Sequence, residues 1–207
     1  YQENTLTARD IDGLVSYLKA HPEVNEVILS GGDPLMADDQ ALSGLFVRLE
    51  SVSSIHRLRI HTRLPIVIPE RVTDTLCQII AATALPVVMV LHSNHANEID
   101  QSVMDAVSQL RVVCRSVLNQ SVILKGINDS ADVLIALSER LFEAGIDPYY
   151  LNVLDRVSGA HHFDVSDLEV AALHQALLNA LPGYLVPKLV REVPGIGHKV
   201  QWKGTTH

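Results

Sequence analysis

Along this chain, short apolar runs alternate with longer stretches in which apolar residues return every three or four positions. The runs at residues 27–29 and 86–91 have the length and continuity of buried strands, and 56–60, 115–118, 148–154 and 184–190 are strand-like as well. The spaced stretches predict amphipathic helices. Their apolar faces are Ile11, Leu14, Val15 and Leu18; Leu42, Leu45, Phe46 and Leu49; Val72, Leu76, Ile79 and Ile80; and Val103, Val107 and Leu110, with a further helix over 131–144. The punctuation agrees. Thr7, with Asp10 three residues on, suits an N-cap, and His21-Pro22 stops the first helix. Pro69 suits the start of the third helix, Gly145 the closing position of the helix before it, and Ser166 or Asp167 the cap of the last.

An opening helix is thus followed by five strand–helix units. Units of ~30 residues demand a parallel sheet with right-handed crossovers, and five or more favour a curved sheet or barrel over a flat doubly wound one. No GxGxxG turn speaks for a dinucleotide fold. The predicted class is α/β, an incomplete parallel β/α barrel. Within it, residues 119–121 read as a polar break between 115–118 and an apolar continuation at 122–124.

Composition narrows the partners. A chain of 207 residues with 47% hydrophobic residues suits one domain over 1–207 with one substantial core. Its formal charge of −8 and its lack of a long basic run argue against a nucleic-acid or membrane surface and favour a small molecule or a local protein contact. No apolar run approaches the ~20 residues of a bilayer span and no signal-peptide pattern opens the chain, so a cytoplasmic protein is expected. Cys77 and Cys114 form no CxxC pair and read as free thiols. The first residue is Tyr1 and a helix follows almost at once, as in a piece of a longer protein.

The sharpest local feature is Leu29-Ser30-Gly31-Gly32-Asp33, where an apolar strand breaks into a turn whose glycines permit positive φ or close backbone approach to a ligand. Polar residues also gather at the other strand exits: 61–63, 92–98, 119–121 and Asp155. Loops leading into strands, such as 84–86 and 145–148, are plain. In a β/α barrel the exits converge on one mouth, although a lone His or Asn at a strand end is commonly a satisfied structural group. In the tail, from about 184 onward, Lys199 follows a glycine-bearing loop. Its default reading is a surface charge; desolvated, its amine is a nucleophile able to form a Schiff base with an aldehyde cofactor. Asp155 and Glu192, from neighbouring strand ends, suit an ammonium group and read equally as surface acids.

Four strings carry a resemblance. Ser-Gly-Gly-Asp-Pro-Leu at 30–35, His-Thr-Arg-Leu-Pro-Ile-Val-Ile-Pro at 61–69, His-Ser-Asn-His-Ala-Asn-Glu at 92–98 and Asn-Gln-Ser-Val-Ile-Leu-Lys-Gly-Ile-Asn-Asp at 119–129 resemble the lysine 2,3-aminomutase family of radical S-adenosylmethionine enzymes, in that family's order. Residues 149–155 and 183–192 look most like its shorter bacterial branch, which makes β-lysine for elongation factor P. The resemblance implies an incomplete barrel in which a [4Fe-4S] cluster cleaves S-adenosylmethionine. The resulting radical takes hydrogen from lysine bound to pyridoxal phosphate, and (S)-α-lysine becomes (R)-β-lysine. Carried over by position, Lys199 is the pyridoxal phosphate lysine, with Lys188 and Lys203 as alternatives. Asp155 and Glu192 hold the substrate's ε-ammonium, and Ser30, Gly31, Gly32, Asp33, His92 and Gln120 belong to the S-adenosylmethionine site.

Three departures qualify the match. The family's CxxxCxxC cluster motif and the arginines after it are absent. The glycine-rich run before the cofactor lysine is here Pro194-Gly195-Ile196-Gly197-His198, and Glu192 stands where catabolic members carry aspartate. The expectation is a fragment lacking the first barrel strand and cluster loop, its cluster ligands lying upstream of Tyr1, and unable by itself to turn lysine over. A separate lysyl ligase and elongation factor P are the implied downstream partners, and a homo-oligomer is left open. Two rivals stand beside this reading: an aminomutase of free-lysine catabolism, and a cluster-free, non-catalytic barrel that binds a nucleoside or amino acid.

Overall fold

Side chains that the sequence places at helix starts do open the helices in the computed structural model, which describes residues 7–155, 159–193 and 195–202; Tyr1, Pro194 and Lys203 lie outside the described residues. Thr7 and Asp10 form a reciprocal capping box at α1 (Ala8–Ala20). Asp38 caps α2 (Asp39–Glu50), and a single turn, α3 (Leu64–Val67), carries Pro65 near its start. Thr73 caps α4 (Asp74–Ala82), Asp100 caps α5 (Gln101–Val113), Ser130 caps α6 (Ala131–Glu143) and Ser166, not Asp167, caps α7 (Asp167–Ala180). Gly145 closes α6 at φ +77° as its position predicts. Pro69 opens a short 3-10 turn instead of α4, so Val72 precedes that helix.

Six parallel strands stand in sequence order: β1 (Glu26–Leu29), β2 (Arg57–Thr62), β3 (Val87–Leu91), β4 (Ser116–Val122), β5 (Asp147–Asn152) and β6 (Lys188–Arg191). A short antiparallel strand, β7 (Val200–Gln201), adds to β6. The last parallel strand starts later than the sequence pattern suggests, because residues 183–185 form a 3-10 turn. The sheet curls with the helices outside it, an incomplete parallel barrel.

Paired residues in parallel register share a face, so the faces can be read off the pairing. Leu58, Ile60, Met89, Leu91 and Val117 turn outward into the core beneath α1 to α5. Glu26, Arg59, His61, Val90 and Leu118 turn to the concave side. At β5 the count slips: Asn119 pairs with Pro148 but Gln120 pairs with Tyr150, leaving Tyr149 as an extra residue. The bulge sets Tyr149 and Tyr150 with ring centroids 3.7 Å apart. Beyond it Leu151 and Val153 enter a second core cluster with Val170, Leu177 and Leu189, and Asn152 faces the concave side.

Residues 119–121 are not a break. β4 runs through them, and the side chains of Asn119 and Ser121 are consumed by neighbours. Asn119 is 1% exposed; its Oδ1 accepts from Ser93 N at 2.9 Å and its Nδ2 donates to Ser93 O at 3.0 Å and Ser121 Oγ at 2.8 Å. Asn94 and Asn128 extend the network: Asn94 Oδ1 accepts from Val122 N, and Asn128 Nδ2 donates to Asn94 O and Val122 O. Strand polarity here is a fastening between β3 and β4. Asn119→Ala leaves the buried Ser93 N–H without an acceptor and is expected to cost about 2–3 kcal/mol, read by urea unfolding; a loss below about 0.5 kcal/mol contradicts the assignment.

Candidate functional site

The exit of β1 is shaped by backbone. Gly31 and Gly32 hold φ of +78° and +42°, and a Cβ built on either meets no atom within 4 Å, so conformation selects glycine here and the space before the turn is open. Ser30 is exposed beside them. Asp33 turns the other way. Its carboxylate accepts from Leu35 N at 3.0 Å, Thr62 Oγ1 at 2.6 Å and Arg63 N at 2.7 Å, which ties the exit of β1 to that of β2.

Several atoms on the concave side are not consumed in this way, Arg59 Nε among them. His61 Nε2, His92 Nε2 and Gln120 Oε1 are buried without a hydrogen-bond partner among the described residues. Burial holds both imidazoles below their ordinary pKa, helped at His61 by Arg59 and Lys199 and at His92 by Arg63, so both are neutral at pH 7. A flat sheet would separate β2 from β5, where Lys199 is anchored, by roughly 14 Å, three strand spacings. The charge of Lys199 nevertheless reaches His61 and His92, as the curl of the sheet requires.

Lys199 is brought to that side by β7. Val200 and Gln201 pair with Arg191 and Val190, Trp202 N donates to Leu189 O at 3.0 Å, and the Arg191 guanidinium lies 5.5 Å from the Trp202 ring centre while pairing with Asp167. The segment between the strands folds back over the exit of β5. There Lys199 Nζ donates to Asn152 Oδ1 at 2.8 Å and to Glu192 Oε1 at 2.8 Å, 5.9 Å from the Tyr150 ring centre. Asn152 is itself fixed, its Nδ2 donating to Ser121 O at 2.9 Å. Asp155, Glu192, His198 and Lys199 line one open pocket of about 1010 Å³.

The structure therefore gathers Asp155, Glu192 and Lys199 at one pocket and leaves His92 and Gln120 with free buried atoms on the same concave side. Pyridoxal phosphate fits the first group: a lysine amine with its side chain 24% exposed lies on the wall of a roomy pocket. S-adenosylmethionine fits the second, whose unpaired donors and acceptors face the side that the open Gly31-Gly32 turn borders. An iron–sulfur cluster does not fit this chain's own residues. Cys77 lies on α4 and Cys114 is buried at the end of α5, and no group of three or more His, Cys, Asp or Glu suited to a metal occurs among the described residues.

Sequence reasoning missed Asn152 and gave His61 no role. The signal for Asn152 was present: it is a polar residue between Leu151 and Val153, and such alternation turns it away from the core. No helix among the described residues is long and apolar enough to cross a membrane.

No protein-family model matches the chain. It is 50% identical over 199 residues to L-lysine 2,3-aminomutase of Haemophilus influenzae, covering 96% of this chain and 59% of that protein. It is 50% identical over 195 residues to the Escherichia coli protein of the same name, covering 94% and 57%, and 33% identical over 192 residues to that of Bacillus subtilis, covering 93% and 41%. The chain thus spans less than two thirds of the length of these relatives. Among solved structures, Streptococcus suis SuiB bound to S-adenosylmethionine matches with a TM-score of 0.62 at 17% identity, covering 92% of this chain and 45% of that one, a likeness of fold.

Because His61 and His92 are held neutral, the unfolded chain binds their protons more readily. Their contribution is complete above the ordinary histidine value of about 6.5 and is lost as pH falls from there toward their lowered folded values. Urea midpoints should drop between pH 7.5 and pH 5.5, roughly estimated from that window, and His61→Gln with His92→Gln should flatten the drop. An unchanged slope in the double variant contradicts the assignment.

Proposed function

This chain belongs with the L-lysine 2,3-aminomutases, and from that premise we propose that the protein it comes from converts (S)-α-lysine into (R)-β-lysine. One observation carries the reading: the Lys199 amine sits between Asn152 and Glu192 on the pocket that Asp155 also lines. S-adenosylmethionine and pyridoxal phosphate, when bound, supply hydrogen abstraction and a carrier for the migrating amino group. The chain's own residues hold and orient.

Lys199 anchors pyridoxal phosphate through its amine, which stands between Asn152 and Glu192 at the pocket wall. Glu192 and Asp155 hold the substrate's ε-ammonium by charge-assisted hydrogen bonds, and Glu192 already accepts one such bond from an ammonium, that of Lys199. Substrate held at its ammonium end and at its reacting end has little freedom to stray from the near-attack geometry. His92 and Gln120 offer a neutral imidazole nitrogen and an amide oxygen to S-adenosylmethionine, and Ser30, Gly31 and Gly32 admit it without side-chain obstruction. Asp33 serves that site indirectly, by holding the β1 and β2 exits together. The [4Fe-4S] cluster has no ligand set in these residues and enters no step here.

The finer reading, in which a separate ligase attaches β-lysine to elongation factor P in the cytoplasm, rests on the resemblance of residues 149–155 and 183–192. The 207 residues alone are expected to turn over no lysine, since the chain has only Cys77 and Cys114 to offer a cluster.

Borohydride reduction of the full-length protein loaded with pyridoxal phosphate should fix the pyridoxyl group on the peptide containing Lys199, and Lys199→Ala should abolish the labelling. Labelling that persists on Lys188 or Lys203 overturns the anchor assignment. Asp155→Asn and Glu192→Gln should each raise the KM for lysine roughly ten- to a hundredfold, the scale of a charge-assisted hydrogen bond, with S-adenosylmethionine affinity unchanged. An unaltered KM in both removes the ammonium site.

A further inference from the structure

Two acceptors of different character meet the Lys199 amine. Glu192 is a long carboxylate side chain, 61% exposed, on the loop after β6. Asn152 is a short, half-buried amide on β5 whose Nδ2 is committed to Ser121 O at 2.9 Å. That commitment fixes the flip of the amide, so Oδ1 faces Lys199 Nζ at 2.8 Å and cannot exchange places with Nδ2. Ser121 is tied in turn to Ser93 O and Asn119, both in the buried network. The Lys199 amine is therefore referenced to the rigid middle of the sheet through one side chain.

We propose that Asn152 is a positioning residue that aims the Lys199 amine at the aldehyde of its cofactor. Glu192 contributes charge, and Asn152 contributes direction. A neutral acceptor suits this task because it fixes the nitrogen without adding a second negative charge beside Glu192. The inference rests on the assignment of Lys199 as the pyridoxal phosphate anchor. In the capture step the amine, having released a proton to solvent, attacks the aldehyde carbon; a carbon–nitrogen double bond forms and the carbonyl oxygen leaves as water, with no change in oxidation state. Misdirection of the nitrogen slows that step without removing any reacting atom.

The test is the rate at which the full-length apo-protein captures pyridoxal phosphate, read by borohydride trapping of timed samples and peptide mapping. Asn152→Leu, similar in size but without an acceptor, should slow capture at Lys199 by about tenfold or more, the scale of one hydrogen bond to a charged group. Asn152→Asp keeps an acceptor oxygen toward Lys199 but cannot donate to Ser121 O and puts a second negative charge beside Glu192, so it should slow capture too, but by clearly less than Asn152→Leu. Urea unfolding of both variants separates slow capture from misfolding. Equal slowing in the two variants would assign the effect to the Ser121 bond, a structural role, and overturn the proposal, as would parental rates in both. If Lys199→Ala still captures the cofactor at its usual rate, the anchor assignment fails; if it does not and Asn152→Leu captures normally, only the role of Asn152 fails.

Discussion

A buried amide in the middle of the sheet has to find partners for each of its polar atoms, and the concave face depends on how Asn119 does so. Asn119 satisfies its amide by reading both backbone groups of Ser93 and the hydroxyl of Ser121. The pairing admits only one height of β4 against the exit of β3. With that height fixed, Gln120 must face inward, His92 must stand beside it, and the Ser121 carbonyl must be where Asn152 can reach it. Asn94 and Asn128 repeat the device one turn of chain further on, so the loop after β4 is pinned to the loop after β3. The polar network also lies between the two apolar clusters, one under α1 to α5 and one under α7. Apolar contacts could not do this work, since they are tolerant of sliding and a hydrogen-bonded amide is not.

Much of the architecture was legible because burial writes itself into periodicity. The helix faces and the succession of strand and helix follow from spacing, and Thr7, Ser166 and Gly145 act as their positions predict, whereas the caps Asp38, Thr73, Asp100 and Ser130 are not singled out by it. The misreadings share one cause. Asn119 and Ser121 look like a loop to any scheme that equates polarity with exposure, yet they are 1% and 5% exposed and sit inside a strand. Asp33 is a different case: its oxygens tie the exit of β1 to that of β2 beside the turn where the sequence places a ligand. Which polar residue is spent on the fold and which is left over depends on partners far away in sequence, and no local pattern carries that information. Lys199 could be singled out only by resemblance, because what gives it a defined position is the antiparallel β7, a strand of two residues with almost no signature.

The contrast between Asn152 and Glu192 has a bearing on how one pocket can serve an amine of the protein and an amine of a ligand in turn. A carboxylate held near the surface is able to change partners, and on the proposed assignment Glu192 is released for the substrate's ammonium when Lys199 gives up its charge. An amide locked to a strand has no such freedom. The site thus combines a fixed acceptor with a transferable one, and the length of the glutamate side chain gives the latter its reach.

The extra residue at Tyr149 reverses the alternation of faces along β5. Before it, a residue's parity along the strand assigns it to core or cavity one way; after it, the assignment is reversed, so that Leu151 and Val153 are core and Asn152 is not. Removal of Tyr149 would let Pro148 and Tyr150 keep the successive partners Asn119 and Gln120, so the linings of β5 would stay as they are while the close tyrosine pair was lost. In most of the chain a single-residue deletion is absorbed by a loop. In β5 the bulge can absorb it, and the pocket stays in frame as long as Asn152 keeps its pairing with Val122.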